Sequence, residues 1–385
     1  MLKVQDFLLS FDSYISAIEN LKEKYGISVK EYDDIVVLNY SQIDSPRFNK
    51  LSDDCRGLIL SKDFKEIYSR SFTRFYNYGE GNRFDFNFSN SCIMEKLDGS
   101  LMMMWYHPKK KLWYVSSRKM AYGEGQTSYG DSTYRNLFMK CLNIDENISD
   151  EDFTIYINKK LNQYQNYTFI FEMTSPENRI VTPYSDYKVY LIGVRNNNPD
   201  IEKSYEDIAE FVQYFDNVYL PRMYNFDNID EVQVSLRELG PLEEGYVCFD
   251  KESEIRVKVK SPAYVAIHHL RDNGLNLNKI SVLVFENEYE EYLSYFPEDR
   301  HLFEPYINAY ESLKNVVSSL FNKYNVLEDQ KEFALSVGKY PFSSILFEMR
   351  KGKSLIDVCS KFNDSKKLMY LNMFIDDRWK IMIKN

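Results

Sequence analysis

Phe7, Leu8, Phe11, Tyr14, Ile15, Ile18 and Leu21 recur at helical spacing, and with Asp6 placed to cap them they predict one amphipathic amino-terminal helix. Short apolar or alternating runs then take over: IVVLNY (35–40), RGLILS (56–61), SCIMEKL (91–97), LMMMWYH (101–107), KLWYVSS (111–117), YTFIFEM (167–173), KVYLIGVR (188–195), EGYVCFD (244–250) and IRVKVKS (255–261). Rich in β-branched and aromatic residues and separated by polar turns, they predict strands. After about Pro262 the period changes to that of a helix, most clearly where Tyr306, Ile307, Tyr310, Leu313, Val316, Val317, Leu320, Phe321 and Tyr324 recur. The pattern therefore predicts a sheet-rich body and a helical tail, with a boundary near 270–280. We place the two domains at 1–275 and 276–385.

Composition narrows the class. With 44% hydrophobic and 28% charged residues the chain can bury a core and still be soluble, which excludes intrinsic disorder. No apolar run reaches the length of a membrane span, and the amino-terminal stretch carries acids where a signal peptide needs an apolar core, so a cytoplasmic protein without membrane contact is expected. Five scattered cysteines without a C-x-x-C pair suggest neither a disulfide framework nor a zinc site. The net charge of −10 argues against a polyanionic partner, yet from Lys339 onward ten Lys or Arg stand against five Asp or Glu, so a local basic surface is compatible with the total.

The chemistry centres on KLDGS, Lys96–Ser100. Asp-Gly between apolar runs reads as a tight connection between strands, and a lysine beside it is unusual, because lysines are rarely buried unless paired. A desolvated lysine beside other cations has its pKa lowered and becomes a usable nucleophile. K-x-D-G alone arises by chance in about one chain in ten of this length, and the serine lowers that to below roughly one in a hundred. The plain alternative is a surface hairpin turning at Asp98 and Gly99 with a solvated lysine. Further charged residues in strand-like runs shift the balance: Arg56 in DCRGLIL, Glu172 in TFIFEM, Glu244 in EEGYVCF, and Lys258 and Lys260 one residue apart on one strand face. A carboxylate in the apolar run around Glu172 is costly without a partner. For Glu244 a strand-end salt bridge is the alternative, and for Arg56 an ion pair with Asp53 or Asp54.

On these motifs the sequence resembles the covalent nucleotidyltransferases, which comprise ATP-dependent DNA ligases, RNA ligases and mRNA capping enzymes, and more closely the phage-type ATP-dependent RNA ligase 1 family. The resemblance runs through DCRGLIL, KLDGS, FIFEMTSPENRIV, KVYLIGVR, EEGYVCF and RVKVKSPAYV, and reaches GKYPFSSILFEMRKGKS near the carboxy terminus. It implies an α+β nucleotidyltransferase domain of antiparallel sheets with flanking helices, followed by an all-helical domain where DNA ligases and capping enzymes continue into a β-barrel. It also implies an enzyme that joins RNA 5′-phosphate and 3′-hydroxyl ends at the cost of ATP, with Mg2+ or Mn2+, through AMP carried on Lys96 and then on the RNA.

By the same resemblance Arg56, Arg74, Asp98, Gly99, Glu172, Glu244, Lys258, Lys260 and Tyr264 bind the nucleotide, together with Arg118 or Lys119, while Glu172, Glu244 and Glu290 hold the metal. Arg74 stands where the family has a lysine. For Tyr264 plain core packing, and for Glu290 a solvated charge in an acidic run, are the alternatives. The implied partner is RNA, including a tRNA cleaved in its anticodon loop, acted on by a monomer. Two other readings stay open: an RNA-binding protein on a ligase fold whose chemistry has lapsed, and a DNA ligase or capping-type enzyme.

Overall fold

The computed structural model describes residues 1–80, 86–250, 252, 255–271 and 275–382. The chain forms two compact units, Met1–Ala266 and Ile267–Asn385.

The first unit opens with two helices, α1 (Lys3–Leu9) and α2 (Tyr14–Tyr25), where the periodicity predicted one. The correction has a local cause: the Ser13 hydroxyl accepts from the Ser16 N–H and starts a new helix, so Asp6 lies inside the first turn of α1 instead of capping a longer one. Strands β1 (Ile27–Glu31) and β2 (Ile35–Tyr40), helix α3 (Lys50–Asp54), and strands β3 (Arg56–Ser61) and β4 (Ile67–Ser69) follow, the strands forming an antiparallel sheet in sequence order. Strand β2 is buried along its whole length because both its faces are covered. Val36 and Leu38 pack with Leu8, Ile18 and Leu21 of the helices, while Ile35 and Val37 pack with Trp105.

Next come β5 (Tyr76–Asn77), β6 (Ser91–Glu95), β7 (Ser100–His107), β8 (Leu112–Ser117), α4 (Tyr134–Cys141), α5 (Asp150–Leu161), β9 (Tyr167–Thr174), β10 (Lys188–Asn197), β11 (Asp200–Glu202), α6 (Tyr205–Val212), β12 (Val218–Tyr219), β13 (Met223–Tyr224), α7 (Ile229–Glu238), β14 (Gly245–Asp250), β15 (Ile255–Lys260) and α8 (Pro262–Arg271). They build two more sheets, ordered β11-β10-β9-β7-β8 with β12 beside β10, and β13-β6-β14-β15-β5. Pairing is antiparallel except for the short β10–β12 and β15–β5 contacts. Strand β7 explains its own run of methionines. Met102 and Met104 face a core with Leu137, Phe138 and Phe153 of α4 and α5, whereas Met103 meets Phe72 and Ile170 and Trp105 meets Ile59 of the first sheet. A strand covered on both faces has no use for polar alternation. The third sheet sets Tyr246, Cys248, Val257 and Val259 against Val232 and Leu236 of α7 and turns its other face toward the pocket described below.

The second unit is helical throughout its described residues: the end of α8, then α9 (Leu277–Glu286), α10 (Tyr289–Tyr295), α11 (Arg300–Tyr324), α12 (Gln330–Val337), α13 (Ser343–Arg350), α14 (Leu355–Cys359), α15 (Asp364–Phe374) and α16 (Trp379–Met382). Phe303, Tyr306, Ala309, Leu313 and Val317 form the buried stripe of α11. No helix among the described residues is long and apolar enough to cross a membrane. All five cysteines are buried.

Candidate active site

KLDGS does not form a hairpin. Strand β6, ending at Glu95, belongs to the third sheet and β7, starting at Ser100, to the second, so the segment crosses between sheets and the expectation of a simple turn is corrected. Two glycines make the crossing possible. A Cβ on Gly99 would stand 2.3 Å from the Met173 carbonyl oxygen of β9, so only a residue without a side chain lets the backbones approach this closely. Gly245 has φ +125° and a Cβ there would lie 2.2 Å from the Val259 oxygen; its own carbonyl accepts the Lys96 N–H at 2.7 Å.

The crossing is pinned by Asp98. Its buried carboxylate accepts from the Val181 and Thr182 N–H groups, both at 2.7 Å, and from the Tyr264 hydroxyl at 2.7 Å, while its own N–H donates to the Tyr184 hydroxyl at 3.2 Å. Asp98 and Tyr264 are thus committed to protein partners. Tyr264 is 1% exposed and packs in the core, where its hydroxyl donates to Asp98.

Lys96 faces a pocket lined by Tyr40, Arg56, Phe75, Met94, Arg118, Glu172, Ile192, Val247, Arg256, Lys258 and Lys260, among others. Glu244, at the entrance to β14, pairs with Lys96 at 2.6 Å and with Lys260 at 2.9 Å, its side chain 4% exposed. Burial pulls the Lys96 amine down, but Glu244, with Glu172 and Asp98 behind it, outweighs burial and holds it above the ordinary lysine value. This overturns the expectation that neighbouring cations lower Lys96, since the sequence gives no sign that Glu244 reaches it from 148 residues away. The depressed amine is Lys258, pushed down to about 8 by burial and then by Lys260, Lys96 and Arg56. Burial raises Glu172 to about 7 although Lys96 opposes the shift; no hydrogen bond or ion pair meets its carboxyl among the described residues. Glu244 moves the other way, Lys96 and Lys260 overcoming burial to hold it below the usual carboxylate range.

Arg56 carries neither of the ion pairs considered from sequence. Its guanidinium lies over Phe75 at 4.6 Å, with Nε and Nη1 buried and unbonded, and burial lowers it to about 10. Asp54 is taken by Arg70 at 2.8 Å, and Asp53 accepts from the Tyr76 hydroxyl at 2.5 Å. Of the two residues considered after β8, Arg118 lines the pocket, held by Asn39 Oδ1 at 3.3 Å and lying over Tyr40 at 4.9 Å, while Lys119 is exposed and outside it. Arg74 does not line this pocket; it is buried over Tyr40 at 4.2 Å. Glu290 belongs to the second unit, where it is exposed and pairs with Arg300 at 3.4 Å.

Sequence reasoning overlooked Arg256, which shares its strand face with Lys258 and Lys260 in the alternating run RVKVK and was open to the same argument. It also overlooked Asn39 and the 181–184 loop, which carry no sequence signal. Two acids beside the pocket, one tied to lysines and one unpaired, fit a hydrated divalent ion that is held mostly by phosphates and water. Among the described residues no cluster of three or more metal-binding side chains exists, so no closed protein cage stands here.

The chain matches the RNA ligase family profile over residues 54–264. It is 29% identical, over 90% of its length, to a protein described as a candidate bifunctional polynucleotide kinase/RNA ligase of Autographa californica nuclear polyhedrosis virus, and covers 49% of that protein, so it spans about half the length of this relative. It is 25% identical to an RNA ligase of Rhodothermus phage RM378, over 90% of this chain and 92% of that one. Among solved structures, an archaeal ATP-dependent RNA ligase is similar with a TM-score of 0.45 and 14% identity, over 70% of this chain and 64% of that chain. The profile spans more than half of the chain, and on that match the protein belongs to the RNA ligase family.

Proposed function

We propose that the protein is an ATP-dependent RNA ligase that works through AMP bound to Lys96. The observation that carries this reading is one pocket holding a half-buried lysine, its carboxylate partner 2.6 Å away, and two further amines on β15. In the first step Lys96 Nζ attacks the α-phosphorus of ATP, the Nζ–P bond forms and pyrophosphate leaves. Glu244 orients the amine and is the acceptor within reach for its proton. Lys258 and Lys260 bind the α-phosphate oxygens, and Arg56 and Arg118 the outer phosphates. Glu172 and Glu244 are the residues that would hold a divalent cation, which when bound neutralises phosphate charge. In the second step an oxygen of an RNA 5′-phosphate attacks the same phosphorus and the P–N bond breaks, restoring the lysine. In the third a 3′-hydroxyl attacks the RNA phosphate, forming the phosphodiester and expelling AMP.

The first unit carries this chemistry, and the second, with its basic carboxy-terminal stretch, reads the fold of the RNA, a broken tRNA loop being the substrate class that best suits a ligase with a helical appendage. The test is self-labelling. Incubated with α-labelled ATP and Mg2+, the protein should take label, GTP should give none, and Lys96→Ala should abolish it. Lys96→Arg should not rescue, since guanidinium stays protonated. Label on Lys96→Ala at the wild-type level rules out the assignment, and sealing of DNA ends in preference to RNA ends rules out the substrate.

A further inference from the structure

Beside the Lys96 pocket lies a larger cleft of about 720 Å³, and the two share Phe75, Met94, Ile192 and Arg256 as a common wall. That size falls within the ~300–1,000 Å³ of ligand sites in general. Its charge is laid down in two layers. The inner layer is neutral, three guanidiniums against three carboxylates: Arg70 pairs with Asp54 at 2.8 Å and with Asp200, Arg195 with Asp200 and Glu202 at 2.8 Å each, and Arg256 with Glu202. Such a network gives the wall a fixed shape and no net field. The outer layer is not balanced. Among the lining residues outside the network, Lys3, Lys50 and Lys203 carry the accessible charge, Asp207 standing 4.0 Å from Lys203, while Arg74 and Asp53 are buried and offset one another, which leaves an excess of positive charge on a chain whose total is −10.

Between these cations the cleft presents aromatic surface. Phe75, Tyr205 and Phe249 are half-buried and line it, and Arg256 lies 4.4 Å from the Phe249 ring. Excess positive charge interleaved with rings is the chemistry that holds an unpaired polynucleotide strand, cations taking the phosphates and rings taking the bases. Position adds the second half of the argument. The cleft ends at the wall of the pocket that holds the nucleophile, where a strand end must arrive if its terminal phosphate is to be activated.

We propose that this cleft seats the single-stranded RNA adjoining the end to be joined. The proposal rests on the RNA ligase reading above. It assigns the grip on the RNA end to the first unit, through Lys50 and Lys203 as phosphate contacts.

Equilibrium binding of the full chain to a short unstructured RNA across a salt series tests it. For single strands the slope of log K against log salt changes by about 0.7 per phosphate contact, so the double variant Lys50→Gln, Lys203→Gln should flatten the slope by about 1.4. A control pair, Lys109→Gln and Lys111→Gln, exposed at the turn between β7 and β8, should leave the slope as in the wild type. Self-labelling by ATP should be unchanged in both, because none of these lysines lines the nucleotide pocket. A slope flattened equally in the two pairs, or in neither, overturns the cleft assignment. Failure of the wild type to take label overturns the ligase reading instead, and the two failures are read from separate measurements.

Discussion

Replacing Gly99 by alanine isolates what the crossing between sheets contributes. The added Cβ would stand 2.3 Å from the Met173 oxygen, 3.0 Å from the Met173 carbonyl carbon and 3.1 Å from Thr174 Cγ2. An ordinary C···O approach is about 3.3 Å, so the crossing must open by about 1 Å against backbone that a side-chain rotation cannot relieve. It opens at the first rung of the β7–β9 ladder, where Ser100 faces Met173. Overpacking of this kind costs about 1–3 kcal/mol. Because Lys96 lies in the same connection, a displacement of this size should also slow self-labelling about a hundredfold. Single-turnover labelling with α-labelled ATP beside thermal unfolding measures both. If the glycine serves only to let phosphate approach, nucleotide affinity falls while the melting temperature stays put. Labelling within about twofold of wild type at an unchanged melting temperature would refute the packing argument altogether.

Lys258→Met and Lys260→Met should both lose self-labelling but differ in stability: among the described residues Lys258 has no acidic partner within ion-pair distance, whereas loss of Lys260 strips a partner from buried Glu244 and should cost about 1–3 kcal/mol, the reverse order in a melt contradicting the assignment. Glu172 is held near pKa 7, above its unfolded value, so the folded state keeps a proton that the unfolded state loses and stability should fall as pH rises from about 4.5 to 7; Glu172→Gln should flatten that decline, and a wild-type-like pH profile of melting would disprove the burial. A chain truncated after Arg271 should keep self-labelling and lose sealing of a broken stem-loop more than of short unstructured RNA, equal losses on both counting against RNA recognition by the second unit.

Strand positions were readable because each run carries its own period, as RGLILS and β3 coincide to the residue. What each strand pairs with was not. SCIMEKL and LMMMWYH look like the arms of one hairpin, yet partners far along the chain, β14 for the first and β9 for the second, draw them into separate sheets. In the site, residue types and alternation pointed to Lys96, Glu172, Lys258 and Lys260. The pairing of Glu244 with Lys96, and with it the direction of the Lys96 shift, depends on a contact that no local pattern encodes. The same holds for Asp98, whose bonds to Tyr264 and the 181–182 backbone make it a clamp on the segment that carries Lys96.

The pocket draws Arg56 from the first sheet, Glu172 from the second and Lys258 and Lys260 from the third, with Lys96 on the crossing between the third and the second. These positions are brought together only once long-range pairings across some two hundred residues have closed, a topology that folds slowly. On the proposed mechanism self-labelling is accordingly a census of native molecules: a chain missing any one sheet should count as zero, however much secondary structure it retains. Refolding followed by labelled ATP should thus lag behind far-ultraviolet circular dichroism, and the lag measures the time the last sheet takes to dock.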